Sequence, residues 1–203
     1  SLTKDYPDDS LLFNIKGACY AGLGQLDKAV NSYKVAVTIN PQYSKAHYNL
    51  GGAFHEMGAF DDSVQSYLKS LSIEPDYAEA HNNLGNVYRQ QRLLDRAINS
   101  YMKAISINPD YVEAHYSIGL VFQDLGQIDS MISHIKKVLT IKPNFAEAHN
   151  NLGIALKSIG QLDDAILSYK NALLIQPNNI EVHNNLGNVY KEKGFIDEAI
   201  RSY

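Results

Sequence analysis

A strict 34-residue period is the feature of this sequence that most constrains its fold. The prolines mark it, and they are Pro7, Pro41, Pro75, Pro109, Pro143 and Pro177. A glycine follows each proline after ten residues, and an aspartate follows each proline after twenty residues. A period of this length is typical of a repeat array, in which each unit buries its apolar face against its neighbours.

Numbering each repeat so that the proline takes position 32 divides the chain into full and partial repeats. The full repeats span 10–43, 44–77, 78–111, 112–145 and 146–179. Residues 1–9 correspond to the tail of a preceding repeat, and residues 180–203 to the first part of a following one. We therefore predict one array over residues 1–203. We interpret it as part of a longer protein, whose uncapped ends favour self-association.

Two helices are predicted in each repeat. Positions 3, 7, 8, 10, 11 and 14 are mostly apolar or small, which is the spacing of the buried face of a first helix, helix A. Glycine at position 15 suits the left-handed conformation that ends helix A. Arg92 takes this place in repeat 3, so we expect a strained or different turn there. Helix B follows over positions 18–30, with a small residue at 20 and an aromatic at 24, and the proline ends it.

Polar residues at the helix starts predict capping. The aspartate at position 18 lies where helix B begins, so we expect it to cap free amides or to favour the positive end of the helix. The residues after four of the prolines are Asp76, Asp110, Asn144 and Asn178. A glutamate follows each of them after three residues, which predicts a capping box at the start of helix A.

The columns resemble the consensus of the tetratricopeptide repeat (TPR) family throughout the chain, with glycine at position 8, alanine at 20, aromatic residues at 11 and 24, and proline at 32. This resemblance implies an all-α fold, a right-handed α-solenoid of 34-residue helix-turn-helix repeats. The runs AEAHNNLGNVY, AEAHNNLGIAL and EVHNNLGNVYKEKG are most similar to the TPR superhelix of O-linked N-acetylglucosamine transferases and related bacterial proteins. The resemblance implies that any catalytic domain, such as a glycosyltransferase, lies outside this sequence.

In that branch of the family an asparagine just before the position-7 leucine grips the backbone of an extended client peptide in a concave groove. The matching residues are Asn49, Asn83, Asn151 and Asn185, and Ile15 and Ser117 interrupt the column. Positions 2, 6, 9 and 13 share one stripe of helix A, which we expect to face the groove. A primary amide both donates and accepts, so it suits any peptide group. The predicted peptide-binding residues are Asn49, Asn83, Asn86, Asn151, Asn185 and Asn188.

Two alternatives stay open. The asparagines at position 6 also suit hydrogen bonds between neighbouring helices, which would hold the superhelix together. The second polar column, at position 5, we interpret as structural; it contains Asn14, Tyr48, Asn82, Tyr116, Asn150 and Asn184.

The competing function is a self-associating scaffold that acts through the open repeat ends or the convex face. Repeat 4 departs from the consensus at Met131 and Ile135, which we interpret as neutral drift with repacking.

Catalysis and metal binding are not predicted. Five repeats have histidine at position 4, but packed helices lie about 8–10 Å apart. Zinc needs its ligands at about 2.0–2.1 Å, so these histidines are expected to pack between helices. His55 and His134 lie outside this column and form no visible cluster. The sequence has no nucleophile–base constellation, phosphate-binding glycine loop or metal-spaced cysteines, and it therefore predicts neither an enzyme nor a cofactor.

The charge and composition of the chain limit the classes of partner that it can bind. The formal net charge is -4 with no basic block, which argues against nucleic acid. No uncharged apolar run approaches the length of a membrane span. The single cysteine, Cys19, has no partner in the chain, which favours an intracellular, cytoplasmic location. The sequence therefore predicts a protein–protein interaction module that binds extended peptide segments of client proteins.

Overall fold

The computed structural model describes residues 8–203, so the prediction for residues 1–7, which include Pro7, lies outside the described part of the chain. The described residues contain twelve α-helices and no β-strand. The helices are α1 (Ser10–Gly22), α2 (Leu26–Ile39), α3 (Ser44–Glu56), α4 (Phe60–Ile73), α5 (Ala78–Gln90), α6 (Leu94–Ile107), α7 (Val112–Asp124), α8 (Ile128–Ile141), α9 (Ala146–Ser158), α10 (Leu162–Ile175), α11 (Ile180–Glu192) and α12 (Ile196–Ser202). Odd numbers are helix A and even numbers are helix B, which confirms the predicted all-α fold of helix-turn-helix repeats.

The chain forms two compact units, the first ending at Pro109 and the second running from Asp110 to Tyr203. Within each unit, helix A packs on helix B of its own repeat, and helix B packs on the next helix A. Direct contacts also join α1 to α3 and α3 to α5 in the first unit, and α9 to α11 in the second. The A helices therefore form a layer within each unit. Among the described residues, no helix is long and apolar enough to cross a membrane.

The closest contact inside a repeat joins the position-8 glycine of helix A to the position-24 side chain of helix B. Tyr101 is fully buried, and a Cβ placed on Gly85 would lie 2.6 Å from its ring carbon Cε1. The same contact, at 2.5–2.9 Å, pairs Gly17 with Tyr33, Gly51 with Tyr67, Gly153 with Tyr169 and Gly187 with Tyr203. Glycine is needed here because the ring occupies the volume of any larger side chain.

The turn from helix A to helix B has the same geometry in repeat 3 as in the other repeats. The position-15 glycines have φ angles between 69° and 81°, and Arg92 has a φ of 60°. The Arg92 amide donates to the Arg89 carbonyl at 3.0 Å, just as the Gly58 amide donates to the His55 carbonyl at 3.0 Å. The turn is therefore not different in repeat 3. Its strain falls on Arg92, a residue with a Cβ in the left-handed region.

The predicted capping boxes are wrong by one residue. Helix A begins at position 1, so its N-cap is position 34, one residue after Asp76 and its equivalents. Tyr77, at this N-cap, makes no capping hydrogen bond. Capping occurs where position 34 is itself polar. Asp9 accepts from the Leu11 and Leu12 amides at 2.9 and 3.1 Å, and Asn179 accepts from the Val182 amide at 3.2 Å.

The position-18 aspartates do not cap helix B through side-chain hydrogen bonds either. They lie inside its first turn, one residue after the helix begins, as Asp27 does in α2. There the carboxylate favours the positive end of the helix, which is the second role predicted for it. Some of these aspartates also contact the next repeat: Asp61 accepts from Gln91 at 2.9 Å, and Asp163 pairs with Lys193.

Two adjacent glycines in α3 test the glycine–tyrosine contact. A Cβ on Gly51 would lie 2.9 Å from two ring carbons of Tyr67, whereas a Cβ on Gly52 would meet only the Tyr67 hydroxyl, at 3.6 Å. We expect Gly51→Ala to destabilise the protein by about 1–3 kcal/mol because of overpacking. Gly52→Ala should stabilise it by about 0.5–1 kcal/mol, since alanine favours a helix interior. Urea unfolding followed by circular dichroism measures both, and equal effects of the two variants would contradict the contact.

The strain on Arg92 gives a second prediction. Arg92→Gly should raise the free energy of unfolding by about 0.5–1 kcal/mol, because glycine adopts positive φ at little cost but gains freedom in the unfolded chain. The reciprocal variant, Gly58→Arg, should lower it by about 1–2 kcal/mol. A Cβ on Gly58 meets no atom within 4 Å, so this change tests the backbone alone. Thermal unfolding of both variants measures the effect, and a loss of stability in Arg92→Gly would refute the argument.

Candidate peptide-binding groove

The six asparagines singled out by the sequence lie on the A-helix layers of the two units. Asn49, Asn83 and Asn86 belong to the first unit, on α3 and α5. Asn151 lies on α9 of the second unit, and Asn185 and Asn188 lie on α11. All are half-buried except Asn188, which is exposed. The structure therefore places each set beside the buried stripe of helix A, where their amides are partly open to solvent.

Each position-6 asparagine donates one N–H to the preceding repeat. The acceptor is always the position-5 side chain 35 residues earlier. Asn83 Nδ2 donates to the Tyr48 hydroxyl and Asn151 Nδ2 to the Tyr116 hydroxyl, both at 2.9 Å. Asn49 Nδ2 donates to Asn14 Oδ1 at 2.9 Å, and Asn185 Nδ2 to Asn150 Oδ1 at 3.1 Å. These four bonds, which we call the seam, join neighbouring A helices within each unit, as the structural alternative requires.

The seam bonds leave part of the hydrogen-bonding capacity of each asparagine amide available. A primary amide has two N–H groups and an oxygen with two lone pairs, and the seam takes one N–H. The Asn83 oxygen also accepts a long bond of 3.3 Å from Asn82 Nδ2. A second N–H and an acceptor site therefore remain for a peptide carbonyl and a peptide N–H. Peptide binding by these residues stays a prediction, because the seam by itself explains only their orientation.

The position-9 asparagines are held by the position-24 tyrosines, of which Tyr101 is buried and Tyr203 is exposed. The Tyr101 hydroxyl donates to Asn86 Oδ1 at 2.8 Å, and the Tyr203 hydroxyl donates to Asn188 Oδ1 at 2.9 Å. The oxygen is thereby fixed, and the amide NH₂ group is the part left to meet a ligand. Sequence reasoning missed this partnership. The available signal was that an asparagine at position 9 occurs only in repeats with tyrosine at position 24.

Four members of the position-5 column accept the seam bonds, which agrees with the structural interpretation: Asn14, Tyr48, Tyr116 and Asn150. Asn150 also donates to Glu181 Oε1 at 3.0 Å, whereas Asn82 donates to its neighbour Asn83 and Asn184 is exposed. Aromatic contacts support two members, because the Tyr48 ring lies 4.8 Å from the Tyr77 ring and the Tyr116 ring lies 5.0 Å from the Phe145 ring. The seam acceptors are thus packed in place before any ligand arrives.

Four of the position-4 histidines hold the turn between repeats. Each Nε2 lies 2.9–3.0 Å from a proline carbonyl oxygen, in the pairs His47–Pro41, His81–Pro75, His149–Pro143 and His183–Pro177. A carbonyl only accepts, so Nε2 carries the proton in each case. Burial lowers the pKa of His47. The described part of the chain has no group of three or more side chains placed to hold a metal ion.

Repeat 4 contains a histidine pair that the sequence did not reveal. His115 Nδ1 and His134 Nδ1 lie 3.0 Å apart, so one nitrogen donates to the other. His115 is buried, and the His134 ring stacks on Phe122 with ring centroids 5.5 Å apart. Burial, with a smaller contribution from repulsion by His115, lowers the pKa of His134 to about 4.

The lowered pKa of His134 predicts a pH dependence of stability. In the unfolded chain a histidine titrates near pH 6.5. Between about pH 6.5 and about pH 4, His134 is therefore mostly protonated in the unfolded state and mostly neutral in the folded state. Stability should fall as the pH falls through this window. Urea midpoints at a series of pH values measure the slope. His134→Gln should have a shallower slope, and an unchanged slope would contradict the assignment.

Comparisons with known protein families identify these repeats. A family model described as a TPR repeat matches residues 17–58, 51–92, 86–126 and 155–194. Two models described as tetratricopeptide repeats match residues 134–166 and 112–145. No curated protein sequence matches the chain. The narrower resemblance to O-linked N-acetylglucosamine transferases stays a prediction.

Solved structures give the same result. A crystal structure of MamA is 27% identical with a TM-score of 0.75, over 83% of this chain and 92% of that one. YrrB, described as a TPR protein with an unusual peptide-binding site, is 18% identical with a TM-score of 0.73, over 89% and 93%. PilF of Pseudomonas aeruginosa is 18% identical with a TM-score of 0.83, over 95% and 88%. The likeness to YrrB and PilF shows the fold alone.

Proposed function

The chain belongs to the tetratricopeptide-repeat family of protein–protein interaction modules, and we propose that it binds extended peptide segments of client proteins along the A-helix layer of each unit. The observation that carries this proposal is the orientation of the position-6 amides. Asn83 and Asn151 are each fixed by a seam bond of 2.9 Å and are still half-open to solvent. Polar groups that are ordered before binding lose less entropy when a ligand arrives.

The spacing of the repeats suits an extended chain. Packed helices lie about 8–10 Å apart, and an extended chain rises about 3.3 Å per residue, so one asparagine meets about every third client residue. Each net hydrogen bond contributes about 0.5–1.5 kcal/mol. The two position-6 asparagines of one unit therefore support affinity no tighter than about micromolar. Such binding reads the client backbone and leaves its selectivity to the side chains around it.

Matched variants separate the proposed role from the seam. Asn83→Ala with Asn151→Ala removes two seam bonds and two groove amides. Tyr48→Phe with Tyr116→Phe removes the same two hydroxyl acceptors and leaves both amides in the groove. We expect the alanine pair to weaken binding of peptides selected from a random display library by about 5–100-fold. The phenylalanine pair should lose less affinity than the alanine pair, because its amides are intact and lose only their ordering before binding.

Fluorescence anisotropy with the selected peptides measures both affinities, and circular dichroism checks that helicity is unchanged. Equal losses in the two pairs would mean that the asparagines act only through the seam. Failure of the parent to enrich any peptide from the library would overturn the proposed function as a whole.

A further inference from the structure

A column of glutamates runs through the A-helix layer of the second unit. Position 2 is Glu113 in α7, Glu147 in α9 and Glu181 in α11, and all three side chains are exposed. Glu147 accepts from Gln176 at 3.1 Å and Glu181 accepts from Asn150 at 3.0 Å. These donors are neutral, so they orient the two carboxylates without compensating their charge.

The basic side chains of the three A helices lie far from the column. Lys157 and Lys191 occupy position 12, ten residues further along helix A. At a rise of about 1.5 Å per residue this is about 15 Å, which exceeds the screening length of about 8–10 Å at physiological salt. Lys157 is also paired with Glu192 at 3.8 Å. Two lysines from the end of α8 have other partners: Lys137 pairs with Asp110 at 2.8 Å, and the Lys142 Nζ atom lies 4.8 Å from the centre of the Phe145 ring. The column therefore presents negative charge at one end of the layer.

The same layer offers a short apolar strip seven residues further along helix A than the column. Position 9 is Leu120 in α7, Ile154 in α9 and Asn188 in α11; Leu120 and Ile154 are half-buried and form the strip. The first unit differs at both positions. Its position-2 residues are Leu11, Lys45 and Glu79, and its position-9 residues are Ala18, Gly52 and Asn86. Uniform acidity together with an apolar strip is thus a property of the second unit.

The spacing of the column selects a backbone conformation. Successive A helices are about 8–10 Å apart. A polyproline II segment has three residues per turn and rises about 3.1 Å per residue, so every third side chain points the same way at intervals of about 9 Å. A β-strand points alternate side chains the same way, at intervals of about 6.6 Å. Only the polyproline II spacing brings one client side chain to each glutamate.

We propose that the second unit selects client segments in the polyproline II conformation that carry a lysine or arginine at every third residue, with apolar residues between them. This inference rests on the proposed function and names the class of client. The basic side chains meet Glu113, Glu147 and Glu181, and the apolar residues lie over Leu120 and Ile154. The position-6 amides of this unit, Asn151 and Asn185, bind the backbone between them.

Synthetic peptides test the proposal with the full chain. One peptide carries three lysines at every third position among prolines and alanines. A second has the same composition with the lysines consecutive, and a third replaces every lysine with glutamine. We expect the spaced peptide to bind about tenfold more tightly than the other two at low salt. The advantage should shrink as salt is added, because exposed charge pairs are screened.

The matched variant carries Glu113→Gln, Glu147→Gln and Glu181→Gln, which keeps an acceptor oxygen for Gln176 and Asn150 and removes the charge. It should lose the preference for the spaced peptide and bind the glutamine peptide as the parent does. Equal affinity of the parent for the spaced and consecutive peptides would overturn the spacing. Equal affinity for the spaced and glutamine peptides would overturn the charge selectivity and leave the proposed function standing. Failure of all three peptides to bind, together with failure of the display selection, would overturn both.

Discussion

The contact between a glycine of helix A and a tyrosine ring of helix B is the interaction on which the rest of the structure depends. The ring fills the volume that a Cβ on Gly85 or Gly153 would need, so it packs directly on the backbone of helix A. Burial, with a smaller effect of the Glu181 carboxylate, raises the pKa of Tyr169 to about 12, as expected for a phenol that has lost its water. In repeat 3 the Tyr101 hydroxyl also fixes Asn86, so the core orients a residue of the candidate groove.

At the junctions between repeats within each unit, two hydrogen bonds add to the packing of helix B on the next helix A. The histidine at position 4 binds the preceding proline carbonyl, and the asparagine at position 6 binds the preceding position-5 side chain. The first bond joins a side chain to a backbone carbonyl and the second joins two side chains, and both recur at the spacing of the repeat. The position-6 asparagines consequently stabilise the fold as well as lining the candidate site. This is why a substitution that removes the amide must be compared with one that removes only its acceptor.

Repeat 4 shows how far the pattern can change while the core stays filled. Met131 and Ile135 replace the small residue and the aromatic, and both are fully buried. The Ile135 Cδ1 atom lies 3.0 Å from the place of a Cβ on Gly119, so the isoleucine occupies the volume of the missing ring. The repacking expected for this repeat agrees with these contacts, and neutral drift stays an interpretation. The same repeat places His134 against His115.

The sequence by itself determined the repeat, the two helices within it and the buried face of each helix. The reason is that the buried side of a helix shows as apolar residues spaced about 3.6 apart, and this pattern recurs in every 34-residue repeat. It also identified the asparagine column. Only the tertiary structure decided what each amide contacts, since the partner of Asn83 lies 35 residues earlier in the chain. It also decided that helix A begins one residue later than the caps suggested, and that His134 meets His115. Local patterns follow from backbone hydrogen bonds between near neighbours, whereas the His134–His115 contact exists only once two helices have packed together, and the Asn83–Tyr48 bond only once two repeats have stacked.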